Sequence, residues 1–157
     1  MTAPDTGASI EIDWFVPDVW FARWIVRVER LRNPAARYCH CGIRTPDGYF
    51  EAVETGFRVL PDPPRPPDAS RRLPVASAAD LQRGTAYLHR QVGQRYSWLT
   101  ILADLTGALL RVHLVCTMAG QHVCSAAVSW ALIYFGVRYT DSPDADTPDS
   151  LAVVYGV

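Results

Sequence analysis

The sequence predicts one α+β domain, and three observations predict it. Its 157 residues suit a single domain. With 49% apolar and 20% charged residues, the chain can bury a core, which a disordered tail cannot do. Strand patterns cluster in the first half and helix patterns in the second, the segregated order of α+β architecture.

Residues 1–8 are expected to be a loose terminus. "SIEIDWF" alternates and predicts a strand. "PDVWFARWIVRVERLR" predicts an amphipathic helix with Pro17 in its first turn. Trp20, Phe21, Trp24, Ile25, Val28 and Leu31 would form its core face, and Arg23, Arg27 and Arg30 its solvated face. Asn33-Pro34 ends it.

"RYCHCGIR" and "YFEAVETGFRVL" flank "TPDG", in which Pro presets the bend and Gly is free to take positive φ, so this reads as a β-hairpin. "PDPPRPPDASRRLP" (61–74) reads as a proline-rich surface loop inside the single domain. Ser77 with Asp80 three residues on predicts a capped helix to about Val92, stopped by Gly93. A very apolar helix is expected over 97–110, then "RVHLVCTM" as strand or extended loop. "VCSAAVSWALIYFG" predicts a helix starting at Cys124 and ended by Gly136. "DSPDADTPDS" reads as a turn-rich linker and "LAVVYGV" as a short C-terminal strand.

Composition excludes several function classes. A net charge of −1 argues against nucleic acid as the main partner. All 15 basic residues are arginine, a bias that looks compositional. The polar, acidic start lacks a signal-peptide pattern, and "WLTILADLTGALL" is broken by Asp104 and Thr106. The expectation is a protein cytoplasmic at synthesis, with no transmembrane segment. Four cysteines are too sparse for a disulfide scaffold. Cys39, His40, Cys41, His113, Cys116, His122 and Cys124 offer soft ligands, but no C-x-x-C pair occurs, and C-H-C on a strand points its middle residue away from its neighbours. No metal or organic cofactor is expected.

The chemistry centres on Cys124. A helix N-terminus stabilises a thiolate and can hold an oxyanion, although cysteine is also among the most buried residue types. On the strand "YCHCGIR", His40 faces one way and Cys39 and Cys41 the other, towards the back of the sheet. An even hairpin loop, Asp47–Gly48 or Thr45–Gly48, puts Glu51 on the face of His40. With the four-residue loop Glu51 opposes Gly42, diagonal to His40. Gly42 leaves room between them. Cysteine, histidine and same-face carboxylate form a nucleophile–base–orienter set.

At these residues the sequence resembles a family. "YCHCGIRTPDGYFEAVETGFRV", "VGQRYSWLTIL", "VCSAAVSWALIYFG" and "DTPDSLA" are similar, in that order, to motifs of circularly permuted papain-fold proteins of the NlpC/P60 superfamily, the YiiX/YaeF-like branch. The resemblance covers about 38–152. It implies a permuted papain-like α+β fold, with a small antiparallel sheet packed against the helix bearing the cysteine. It implies Cys124 as nucleophile, His40 as general base, Glu51 as its orienter, and the Cys124 N–H in the oxyanion hole. His122, Gln121 and Tyr38 are the further positions expected around substrate or oxyanion. His122 stands where the family has an aromatic, Ala126 replaces an acidic residue, and Cys41 replaces a valine. The implied activity is hydrolysis of an amide bond through an acyl-enzyme, with a cell-wall peptide as substrate. Delivery would then be by lysis, a phage particle or a secretion system. A lipid acyl substrate, or an inactive virion- or secretion-associated module, are the alternatives.

Overall fold

The computed structural model describes residues 8–31, 33–97, 121–137 and 142–157, with Leu102, Thr106 and Leu110 as isolated helical positions. Of Phe21, Gln121 and His122 only the backbone is described. The expected terminus before Ala8, most of the apolar helix at 97–110 and the "RVHLVCTM" segment with His113 and Cys116 lie outside the described residues.

The architecture is α+β. Strands β1 (Ser9–Phe15), β2 (His40–Thr45), β3 (Gly48–Val53), β4 (Gly56–Leu60) and β5 (Ala69–Pro74) form one antiparallel sheet in the order β4-β3-β2-β1-β5. Helices α1 (Trp20–Glu29), α2 (Ala78–Gln91), α3 (Cys124–Tyr134) and α4 (Pro148–Tyr155) accompany it. A parallel pair, β6 (Arg95–Tyr96) and β7 (Gln121–His122), leads into α3.

Side-chain alternation gives the sheet two unlike faces. On one, Ile10, Ile12, Trp14, Ile43, Phe50 and Leu73 join a core cluster with Leu88 of α2 and Leu132 of α3. The other carries Asp13, His40, Arg44, Tyr49, Glu51 and Arg58.

Several local expectations change. "YFEAVETGFRVL" is two strands: Glu54-Thr55 forms a turn, and Gly56 at φ 123° takes a conformation that side chains disfavour. Residues 69–74 of the expected loop are β5, paired with β1. The remaining eight residues, five of them proline, join opposite edges of the sheet and so must cross it. Four inter-strand steps need about 19 Å, and eight residues of polyproline reach about 25 Å. The crossing runs over the polar face: Asp62 pairs with Arg44 at 2.9 Å, and Arg65 donates to the Val16 carbonyl at 2.7 Å.

The C-terminal "strand" is helix α4. Thr147 caps it by accepting from the Ser150 N–H, Ser150 bonds back to the Thr147 N–H, and Pro148 occupies the first turn. That cap and the burial of Leu151 and Ala152 override the β-preference of Val153 and Val154. The preceding "linker" holds a 3-10 turn at Pro143–Ala145.

Helix α1 starts at Trp20, so Pro17 precedes it. Its expected core face is only partly buried. Val28 is buried, whereas Trp20, Trp24 and Leu31 are exposed; Val26, outside that face, is buried as well. The apolar face of the sheet is already occupied by α2 and α3, and α1 instead turns Ala22 and Ile25 towards a cleft beside His40.

Candidate active site

The hairpin register decides the position of the carboxylate. Thr45 pairs with Gly48 and Arg44 with Tyr49, so the turn is Pro46-Asp47, one pair tighter than the four-residue loop but in the same register. Two more steps, past Ile43 and Phe50, bring Glu51 opposite Gly42, diagonal to His40. His40 Nε2 donates to Glu51 Oε2 at 2.8 Å. The space above Gly42 holds the Tyr49 phenol: a Cβ on Gly42 would lie 2.0 Å from Tyr49 Oη. The Gly42 vacancy is thus filled by a residue that sequence reasoning missed.

Glu51 is clamped from its other side. On β4, Arg58 pairs with Glu51 and donates from Nε (2.9 Å) and Nη2 (2.5 Å) to Oε1. One carboxylate oxygen faces Arg58 and the other His40, so the carboxylate cannot rotate without losing both partners. Arg58 was missed because 49–60 was read as one strand. The glycine after Glu54-Thr55 is the signal that two strands are present.

Cys124 opens α3, with extended Val123 as N-cap and no side-chain cap. The first-turn N–H groups of a helix lack intrahelical partners, and its dipole favours negative charge there. Cys124 is 5% exposed, and the neighbouring His40 ring favours its thiolate. With Nε2 committed to Glu51, Nδ1 is the nitrogen left for Cys124. The Cys41 thiol also lies beside Cys124 and favours the same charged form. Cys41 does lie on the sheet face opposite His40, but it is no bystander there. Cys124 is reached from both faces of β2, because it sits by the start of that strand. Cys39 precedes the strand, so alternation does not bind it to the back of the sheet. It is half-buried, lines the cleft and points its Sγ at the Phe15 carbonyl at 3.5 Å.

The charges support one another. The hydrogen bond from Cys41, against the cost of burial and with His40 beside it, holds the Cys124 thiol well below its ordinary range. Burial works against the His40 cation, but hydrogen bonds to Cys124 and Glu51 outweigh it and push the imidazole up to about 9. Burial also opposes the Glu51 charge, and His40 and Arg58 overcome it, so its pKa is lowered. Cys41, buried beside a negative thiol, is raised and remains the proton donor. The result is a thiolate–imidazolium pair with its carboxylate anchored.

A cleft of about 580 Å³ opens beside the set, bounded by Phe15, Ile25, His40, Glu51, Arg65 and Tyr96. A smaller hollow of about 50 Å³ lies at Cys124 between Cys39, Tyr96 and Asp146. Cys39, Ile25 and Tyr96 line both.

Of the three further expected site positions, only Tyr38 has a described side chain, and it stands apart from this set. Tyr38 is 3% exposed, packs against Trp14 in the core and lines neither hollow. Strand β2 starts only at His40, and Asp149 fixes the Tyr38 N–H at 3.0 Å, so strand alternation does not carry Tyr38 to the face of His40. Gln121 and His122 lie on β7, paired with Arg95 and Tyr96, and their side chains are outside the described structure. Among the described residues, no group of three or more His, Cys, Asp or Glu side chains is placed to hold a metal. No helix among them is long and apolar enough to cross a membrane.

No protein-family model matches the chain, and no curated protein is similar to it at a significant level.

Proposed function

We propose that the chain is a thiol hydrolase with a permuted papain-like fold of the NlpC/P60 type, cleaving an amide bond through an acyl-enzyme. One observation carries the reading: His40 holds Glu51 at 2.8 Å while the helix-start thiol of Cys124 neighbours the same ring. Strand-first order, with the histidine preceding the cysteine, is what a permuted papain-like chain requires.

The Cys124 thiolate attacks the carbonyl carbon, and the oxygen takes up negative charge near the first-turn N–H groups of α3. The His40 imidazolium gives its proton to the leaving amine as the tetrahedral adduct collapses to a thioester. The neutral imidazole then takes a proton from water, which attacks the thioester, and Cys124 leaves as thiolate. Glu51, held by Arg58, keeps the ring aligned through both halves. No step needs a metal or organic cofactor.

The proposed substrate is an amide bond in a cell-wall peptide. Purified peptidoglycan digested with wild type and Cys124→Ala, read by mass spectrometry, tests it. New fragments that require Cys124 are expected. Their absence removes the cell-wall substrate. The apolar side of the cleft, with Phe15, Ile25 and Val53, favours a second substrate class, lipid esters or amides, to be assayed with the same pair of proteins.

A further inference from the structure

Helix α1 presents to solvent what a helix of this kind ordinarily buries. Trp20 is 79% exposed and Trp24 44%; Leu31 and Val19 are exposed with them. At 100° per residue, Trp20, Trp24 and Leu31 fall within one narrow outer stripe. Arg23, Arg27 and Arg30, all exposed, form the adjoining stripe. The inner arc carries Ala22, Ile25 and Glu29, which line the cleft and the hollow at Cys124. The outer half therefore holds two tryptophans, a leucine and three cations, and no acidic residue. Asp18, an exposed acid, lies before the helix with its carboxylate 3.7 Å from Arg65.

Exposed large apolar side chains in a contiguous row mark an interaction surface more reliably than scattered ones. The charge beside them selects among partners. In an antiparallel symmetric dimer through this face, each arginine row would meet its own copy, placing like charges together. An anionic lipid surface satisfies both stripes. Indole rings settle at the level of the headgroups, with their N–H groups towards ester and phosphate oxygens. Guanidinium groups pair with lipid phosphates. We infer that the outer face of α1 docks the protein in the interface of an anionic bilayer, lying flat rather than spanning it. This inference needs only the surface and is independent of the proposed chemistry.

The test is cosedimentation of the full chain with vesicles of phosphatidylcholine alone or with phosphatidylserine. Binding to the phosphatidylserine vesicles, weakened by salt and much weaker on phosphatidylcholine, is expected. Arg23→Gln/Arg27→Gln should weaken it about tenfold to thirtyfold, and Trp20→Ser/Trp24→Ser at least as much, with circular dichroism and the thermal midpoint retained. Arg30 is left alone because its Nε donates to the Ala36 carbonyl. Quenching of wild-type tryptophan fluorescence by brominated acyl chains reads insertion without any variant. No binding by folded wild type, no quenching, or equal binding by both variants would overturn the inference. So would concentration-dependent self-association removed by Trp20→Ser/Trp24→Ser without vesicle binding, which would make the face a contact between copies.

Discussion

The two faces of the sheet are built on different physics from the same five strands. The apolar face is held by area: Ile12, Trp14, Ile43 and Phe50 are fully buried against α2 and α3. Such packing is non-directional and tolerates exchange of side chains of similar volume. The polar face is held by pairing. Asp13, Tyr49 and Glu51 are almost fully buried there, among Arg44, Arg58, Ser70 and His40. Burial raises the Asp13 pKa even though Ser70 and Arg44 oppose it. Hydrogen bonds of this kind specify geometry more than they stabilise, since desolvation consumes most of the gain. The proline-rich crossing roofs this face, with Arg65 over the Phe15 ring at 4.9 Å. One face thus supplies cohesion and the other a rigid set of charges, and Cys124 sits where both reach it.

If that division is right, the two faces separate under mutation. The largest effect belongs to the thiol. Cys124→Ala is expected to lower hydrolysis by about 10⁴-fold or more, measured as initial rate on whichever substrate is cleaved. The next largest falls on stability. Ile43→Ala removes a fully buried side chain from the apolar face and should cost about 2–5 kcal/mol, read from urea unfolding. The pH profile of Cys124 alkylation should stay where it was. A displaced profile would show that the apolar face also tunes the thiol.

The polar face gives the converse. Glu51→Gln keeps the shape and removes the charge. His40 then loses its anionic partner and its pKa falls towards the ordinary value. In wild type, alkylation of Cys124 should begin well below the pH of a free thiol and persist above pH 9, because it needs only the thiolate. Hydrolysis should decline as pH rises through about 9, where His40 loses the proton owed to the leaving group. In Glu51→Gln the onset of alkylation should move up and the alkaline limb of hydrolysis down, with a loss of about 10-fold to 100-fold. Iodoacetamide labelling against pH checks the first, and initial rates against pH the second. Unmoved limbs would make Glu51 merely structural.

What was legible in the sequence follows the same division. The apolar core of the sheet and α2 with its Ser77 cap rest on local periodicity and capping, and α3 on an apolar run of helical length stopped by Gly136, all of which a sequence displays. The hairpin register was legible because an even turn allows few choices, and Glu51 came to His40 as that register requires. Arg58 and Tyr49 were not, because each takes its role from a strand or a glycine whose neighbour is set by tertiary pairing. Cys41 was placed on the right face but given no partner, since nothing local says that α3 starts beside it. Helix α1 was misread for a related reason. Periodicity shows that a stripe exists, but only the rest of the fold decides whether the stripe is covered.

Helix α4 offers the smallest and most discriminating perturbation. Its first turn ties distant parts of the fold together: the Pro148 carbonyl accepts from Trp14 Nε1 at 3.0 Å, and Asp149 accepts from the N–H groups of Arg37 and Tyr38, just ahead of β2. Both links depend on the helix starting at Pro148, which the Thr147–Ser150 capping box secures. Thr147→Ala removes one half of that box and should cost about 1 kcal/mol, seen as a lower urea midpoint with an unchanged slope. The links act on the approach to β2, whereas His40 is held by Glu51 from within the sheet. The pH profile of Cys124 labelling should therefore stay fixed while the midpoint drops. If the profile moved with the midpoint, the entry to β2 would be part of the charge set, and the polar face would extend past the sheet to the C-terminal helix.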